Sequence, residues 1–153
     1  MANGYLANNA APNGIIDHQL AGSAERVDDI HASWSAAGVD SIATASMMID
    51  LLFIGVSASA GVLGASLIHT RTKSKPLLHF SKLICLMFLA FALLDYSETV
   101  PELIQQICGH GNDTLAIIAA TVQPIKLIAF LGGVATLVIA LIWCKVTKLD
   151  PGP

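Results

Sequence analysis

The sequence predicts an all-α integral membrane protein: three transmembrane helices, an N-terminal amphipathic helix and a short extracytoplasmic helix. Two observations predict it. Of 153 residues, 54% are apolar and only 12% charged, with a mean hydropathy of +0.67. Ordinary soluble domains carry roughly 25% charged residues. The apolar residues are also gathered into runs: Leu51–Ile68 and Leu127–Cys144 hold no charge, and Pro76–Leu94 is interrupted only by Lys82. About 20 such residues cover the ~30 Å hydrocarbon core as a helix. The composition argues against a disordered chain and an ordinary soluble enzyme. A net charge of −3 leaves no global basic field for nucleic acid. Three cysteines, Cys85, Cys108 and Cys144, are too few and too scattered for a disulfide framework.

Residues 1–46 form a polar arm. The stretch 1–14 is rich in Asn, Gly and Pro, as turns are. Asp17 is placed to cap a helix in which Ile16, Leu20, Ala24, Val27, Ile30 and Trp34 recur at steps of three and four. Two readings stand for this stripe: a helix lying on the membrane, or one packing on a neighbouring subunit. Met1–Pro12 lacks the features of a cleavable signal peptide, so an outside N-terminus is expected to cross with the first span. No lipidation signature is visible.

Three spans are expected near 47–69, 76–95 and 125–145, making 47–145 the transmembrane domain and 146–153 a short tail. Charge orients them. The arm holds Asp17, Glu25, Asp28, Asp29 and Asp40 against Arg26, and the second loop holds Asp95, Glu98, Glu102 and Asp113. The first loop holds Arg71, Lys73 and Lys75, and the tail Lys145, Lys148 and Asp150. The positive-inside rule puts the N-terminus and second loop outside, and loop 69–75 and the C-terminus in the cytoplasm. The basic loop either only fixes orientation or has a further role.

Within the second loop, Thr99 as N-cap, Pro101 in the first turn and Glu102 three residues on predict a short helix that Gly109 ends. Leu115–Cys144 is thirty residues, more than one span needs. Pro124 is expected to break it into an outer helix over 114–123 and the span itself. Lys126 then either snorkels to the headgroups or meets an acid such as Asp50. Ser57, Gly61 and Gly64 (or Ala65) share one face of the first span, and Ala129, Gly133, Thr136 and Ala140 one face of the third. Small residues at this spacing let helices approach closely in lipid, and the Thr136 hydroxyl can bond across to a neighbouring helix. The partner helix can lie in the same chain or another.

Chemistry is sparse. His18, His31, His69, His79 and His110 show no metal-ligand spacing, and Cys108 with His110 would need two more ligands. There is no phosphate loop, dinucleotide fingerprint or nucleophile triad. A non-enzymatic protein without metal is therefore expected.

The layout of acidic arm, span, basic loop His69-Thr-Arg-Thr-Lys-Ser-Lys-Pro76 and span resembles the small membrane subunits and pilins of type IV secretion and conjugation systems, including the IncI and Dot/Icm branch. Gly64–Arg71 leading into the second span and Gln123–Gly133 entering the third are the suggestive stretches. The likeness covers residues 47–145. The third span, the arm and the lack of a signal peptide depart from the two-helix pilin pattern. The resemblance implies a structural subunit of the bacterial inner membrane that self-assembles, and an extracellular filament after assembly. Its His69, Arg71, Lys73, Lys75 and Lys82 would face the cytoplasm or lumen and meet phospholipid phosphate. Bound phospholipid would be the only cofactor. Partners would be other copies, other secretion-system subunits, and translocated nucleic acid without sequence recognition. Other readings are an accessory subunit of a larger, energy-transducing membrane complex, a holin, or a small transporter or channel. Lys145–Pro153 carries only +1, little for a holin tail, and the lack of mid-membrane polar groups argues against a channel.

Overall fold

The computed structural model describes residues 3–146. Lys148 and the rest of the tail from 147 on lie outside the described residues. Among the described residues every regular element is a helix: α1 Asn3–Leu6, α2 Ile15–Gln19, α3 Ala24–Ala36, α4 Asp40–Arg71, α5 Lys75–Cys108 and α6 Asp113–Val146. The last three are long and apolar enough to cross a membrane. At 1.5 Å per residue, α4 to α6 are each roughly 50 Å long, well beyond the ~30 Å core.

The arm's stripe does not form one helix. It is split between α2 and α3, because Gly22 takes a left-handed conformation at φ 70° and Ser23 starts a new helix by accepting from the Arg26 amide at 3.3 Å. Val27, Ile30 and Trp34 of α3 are buried as the spacing predicts, whereas Ile16 and Leu20 are exposed. The helix closes on Gly38, at φ 67°, with the Val39 amide donating back to the Trp34 carbonyl at 3.0 Å.

Neither proline breaks its helix. Pro101 lies inside α5 and Pro124 inside α6. The expected separate helices after Thr99 and over 114–123 are therefore parts of α5 and α6. Each proline forfeits one backbone bond, but the rest of its 34-residue helix remains cooperative, and a long apolar helix tolerates the interruption. Thr99 sits mid-helix, so it caps nothing. Gly109 follows Cys108 at φ 71°, its amide donating to the Gln105 carbonyl. Asn112 caps α6 by accepting from the Leu115 amide at 3.1 Å.

The chain divides into two compact units: residues 1–54 with 94–125, and residues 55–93 with 126–153. The first is strongly acidic. Ten of the chain's eleven acidic residues lie in it, against one base, Arg26. Its apolar core gathers Leu6, Ala11, Ile30, Trp34, Ala43 and Met47. The Trp34 indole N–H donates to the Leu6 carbonyl at 2.8 Å, anchoring the turn-rich N-terminal stretch on α3. Arg26 donates to the Ala10 carbonyl.

The second unit is built around Phe88 of α5. A Cβ placed on Gly61 of α4 would overlap the Phe88 ring, and one on Gly133 of α6 would lie 3.1 Å from it. Phe88 meets Phe130 edge-on at 6.3 Å, and Phe91 packs on Phe130 at 4.8 Å. The outer faces stay apolar and uncovered: Val56, Leu63, Leu86, Leu93, Ile128 and Ile142 are among many exposed large side chains. Only 11% of the most apolar stretch of α6 is buried within the chain.

Candidate functional site

The basic residues meet at the α4–α5 turn. Only Thr72, Lys73 and Ser74 separate the helices, a tighter turn than the 69–75 loop expected from hydropathy. The Thr72 hydroxyl accepts from the Ser74 amide at 3.1 Å, and Ser74 starts α5 by accepting from the Leu78 amide. Arg71, Lys73 and Lys75 are exposed around this turn, and Lys82 is exposed two turns along α5. Among the described residues none of the four is in an ion pair, and the sequence holds no acid from Leu51 to Leu94. Four unneutralised cations therefore crowd one end of a helical hairpin. His69 is tied by Nδ1 to the Ser81 hydroxyl at 3.0 Å. With Ser66, Ser81, Lys82 and Cys85 it lines a cleft of about 170 Å³ between α4 and α5. An unneutralised basic end attracts anions.

The expected packing residues are filled from within the chain. Phe88 occupies the notch left by Gly61 and Gly133, and a Cβ placed on Gly64 would lie 3.3 Å from the tip of Leu137. Gly132, not singled out in the sequence, is covered by the Met87 side chain. Ser57 and Ala129 are half-buried at the margins of these faces. The Thr136 hydroxyl does not reach across to another helix. It donates to the Gly132 carbonyl of its own helix at 2.7 Å, the nearest acceptor one turn back.

Sequence reasoning missed two polar features of the acidic unit. Asp95, Glu98, Thr99, Glu102 and Gln105 are all buried on one face of α5. Their spacing of three, four and seven residues is a helical stripe that runs on past 95, the expected end of the second span. The Thr99 hydroxyl lies 3.4 Å from both the Asp50 and Asp95 carboxylates.

The second feature is a histidine pair. His18 of α2 and His31 of α3 are buried with their Nε2 atoms 2.9 Å apart and their rings stacked at 5.0 Å, beside Trp34. A contact that short needs one proton between the two nitrogens, so one ring donates and the other accepts. His18 Nδ1 lies 3.8 Å from the Glu102 carboxylate. Burial pulls both imidazoles down to about 4. For His31 the neighbouring His18 adds to the fall, and Asp28 and Asp40 oppose it. Only the folded chain brings residues thirteen apart together in this way. Among the described residues no three His, Cys, Asp or Glu side chains are grouped to hold a metal ion.

Fold and site together define an all-helical protein with three helices fit to cross a membrane, an acidic unit that buries polar side chains beside its apolar core, and a basic turn. Compared with known protein families, curated proteins and solved structures, the chain matches none.

Proposed function

We propose that this chain is a non-enzymatic structural subunit of a bacterial inner-membrane assembly. The kind its layout most resembles is a pilin-like component of a conjugation or type IV secretion apparatus. The observation that carries the reading is the separation of charge. The unpaired cations Arg71, Lys73, Lys75 and Lys82 stand at the α4–α5 turn, while ten acids and a single base occupy the other unit. With three spans this supports a cytoplasmic turn and an acidic unit outside. The turn then meets anionic lipid phosphate, and the uncovered apolar faces of α4–α6 meet lipid or other subunits.

One observation favours a second reading, an accessory subunit of a larger membrane complex. Gly61 and Gly133, the faces best suited to close contact between copies, are already filled by Phe88. Purification in mild detergent separates the two. Filaments of this chain alone in negative stain support the pilin-like subunit, and stoichiometric co-purification with larger membrane subunits supports the accessory one. Reporter fusions at Asn13, Lys73 and Gly111 test the orientation: an active periplasmic reporter at Lys73 would overturn it.

A further inference from the structure

The acidic unit contains a cleft of about 390 Å³ that none of the roles above uses. Asp28, His31 and Ser35 of α3 form one wall, Asp40 at the start of α4 another, and Gln106 and His110 at the end of α5 the third. The positions 28, 31 and 35 fall on one face of α3, so the helix itself aims them together. No lysine or arginine lines the cleft. Two of its lining residues, His31 and Gln106, carry buried polar atoms that lack partners. His31 is 8% exposed, its Nε2 is engaged by His18, and its Nδ1 has no hydrogen bond. The Gln106 Oε1 is likewise buried without a donor. The Asp28 carboxylate accepts the Gly111 amide through one oxygen, at 2.5 Å, which fixes its direction.

Two carboxylates, an amide oxygen and, in the tautomer where His31 Nε2–H donates to His18, a bare ring nitrogen make a set of acceptors awaiting donors. The surrounding unit, with ten acids against Arg26, adds a field that draws cations to it. We infer that this cleft is a binding site for an organic cation bearing N–H donors, an alkylammonium or guanidinium group. A metal ion is a poorer match, because among the described residues no three carboxylate, imidazole or thiol groups converge on one point. A planar guanidinium suits the two aspartates better than a point charge does.

The test uses the full chain in neutral-lipid nanodiscs and isothermal titration with agmatine, which carries both a guanidinium and an ammonium. Saturable one-site binding is expected. Asp28→Asn keeps an oxygen for the Gly111 amide, yet it and Asp40→Asn should each weaken binding by about tenfold or more, the size of one charge-assisted hydrogen bond. Ala32→Leu removes no charge but fills the cleft, and should weaken binding as well. Asp29→Asn, exposed and outside the cleft, should leave it unchanged. Acetyl-arginine amide distinguishes the source. Binding tighter than agmatine assigns the site to an arginine side chain of a protein partner, and weaker binding assigns it to a free amine. Equal binding of tetramethylammonium, which has no N–H, would overturn the inference. So would agmatine affinity untouched by both Asp28→Asn and Asp40→Asn, or by Ala32→Leu.

Discussion

Gly61→Ala adds a single methyl group at the tightest notch of the membrane-type unit. That methyl would fall on the Phe88 ring, which is 4% exposed and confined on its other side by Gly133 and Phe130. The ring cannot swing clear without pushing on α6, so α4 and α5 must separate. Overpacking of this kind costs about 1–3 kcal/mol. Gly64→Ala is the internal control. Its methyl meets only the tip of Leu137 at 3.3 Å, a flexible group that can yield. Alanine's helix propensity exceeds glycine's by about 1 kcal/mol at either site, so Gly64→Ala should be neutral or stabilising and Gly61→Ala destabilising. Phe88→Leu should relieve the clash, and the Gly61→Ala/Phe88→Leu cycle should show a coupling of about 0.5–3 kcal/mol. Unfolding by SDS titration in micelles, followed by far-UV circular dichroism, measures all four. If Gly61→Ala is as stable as Gly64→Ala, or the cycle shows no coupling, Phe88 does not fill that notch.

Acid should loosen the acidic unit. His18 and His31 are held near 4, below the ordinary imidazole value of about 6.5, so the unfolded chain binds more protons between those limits and stability falls as pH drops through them. The loss should be about 3 kcal/mol for each imidazole on going from pH 7 to pH 4; fluorescence that stays constant over that range in a Trp143→Phe variant, where Trp34 alone reports, would contradict it. Trp34→Phe deletes the donor to the Leu6 carbonyl and should cost about 1–3 kcal/mol, read as a lower melting temperature and faster proteolysis within the first twenty or so residues. Lys73→Gln with Lys75→Gln leaves Arg71 and Lys82 to hold orientation, but each lost charge removes about 1 kcal/mol of attraction to an anionic surface. Anionic phospholipid retained per chain, counted by native mass spectrometry, should fall while membrane insertion stays intact; unchanged lipid would reduce the turn to a topology signal.

What the sequence by itself determined is what local physics controls. A run of eighteen uncharged residues at Leu51–Ile68 or Leu127–Cys144 has to be helical in lipid, because a helix satisfies its own backbone bonds. Gly109, at φ 71°, ends its helix as its position predicts, because a left-handed glycine acts over only three or four residues. The tertiary structure decided what depends on neighbours distant in the chain. Pro101 reads as the first turn of a short helix and Pro124 as a break, yet each lies inside a 34-residue helix that outweighs one lost bond. Thr99 and Glu102 read as a helix cap, yet both lie inside α5 and packing turns their face inward. Gly61 and Gly133 offered a surface to any helix, and only the fold shows that Phe88 of the same chain takes it. His18 and His31 carry no spacing that joins them; the turn at Gly22 folds α2 back along α3 and makes them a pair. Helix formation is a sum over near neighbours and can be read along the chain, whereas the orientation of a polar face is set by what packs against it.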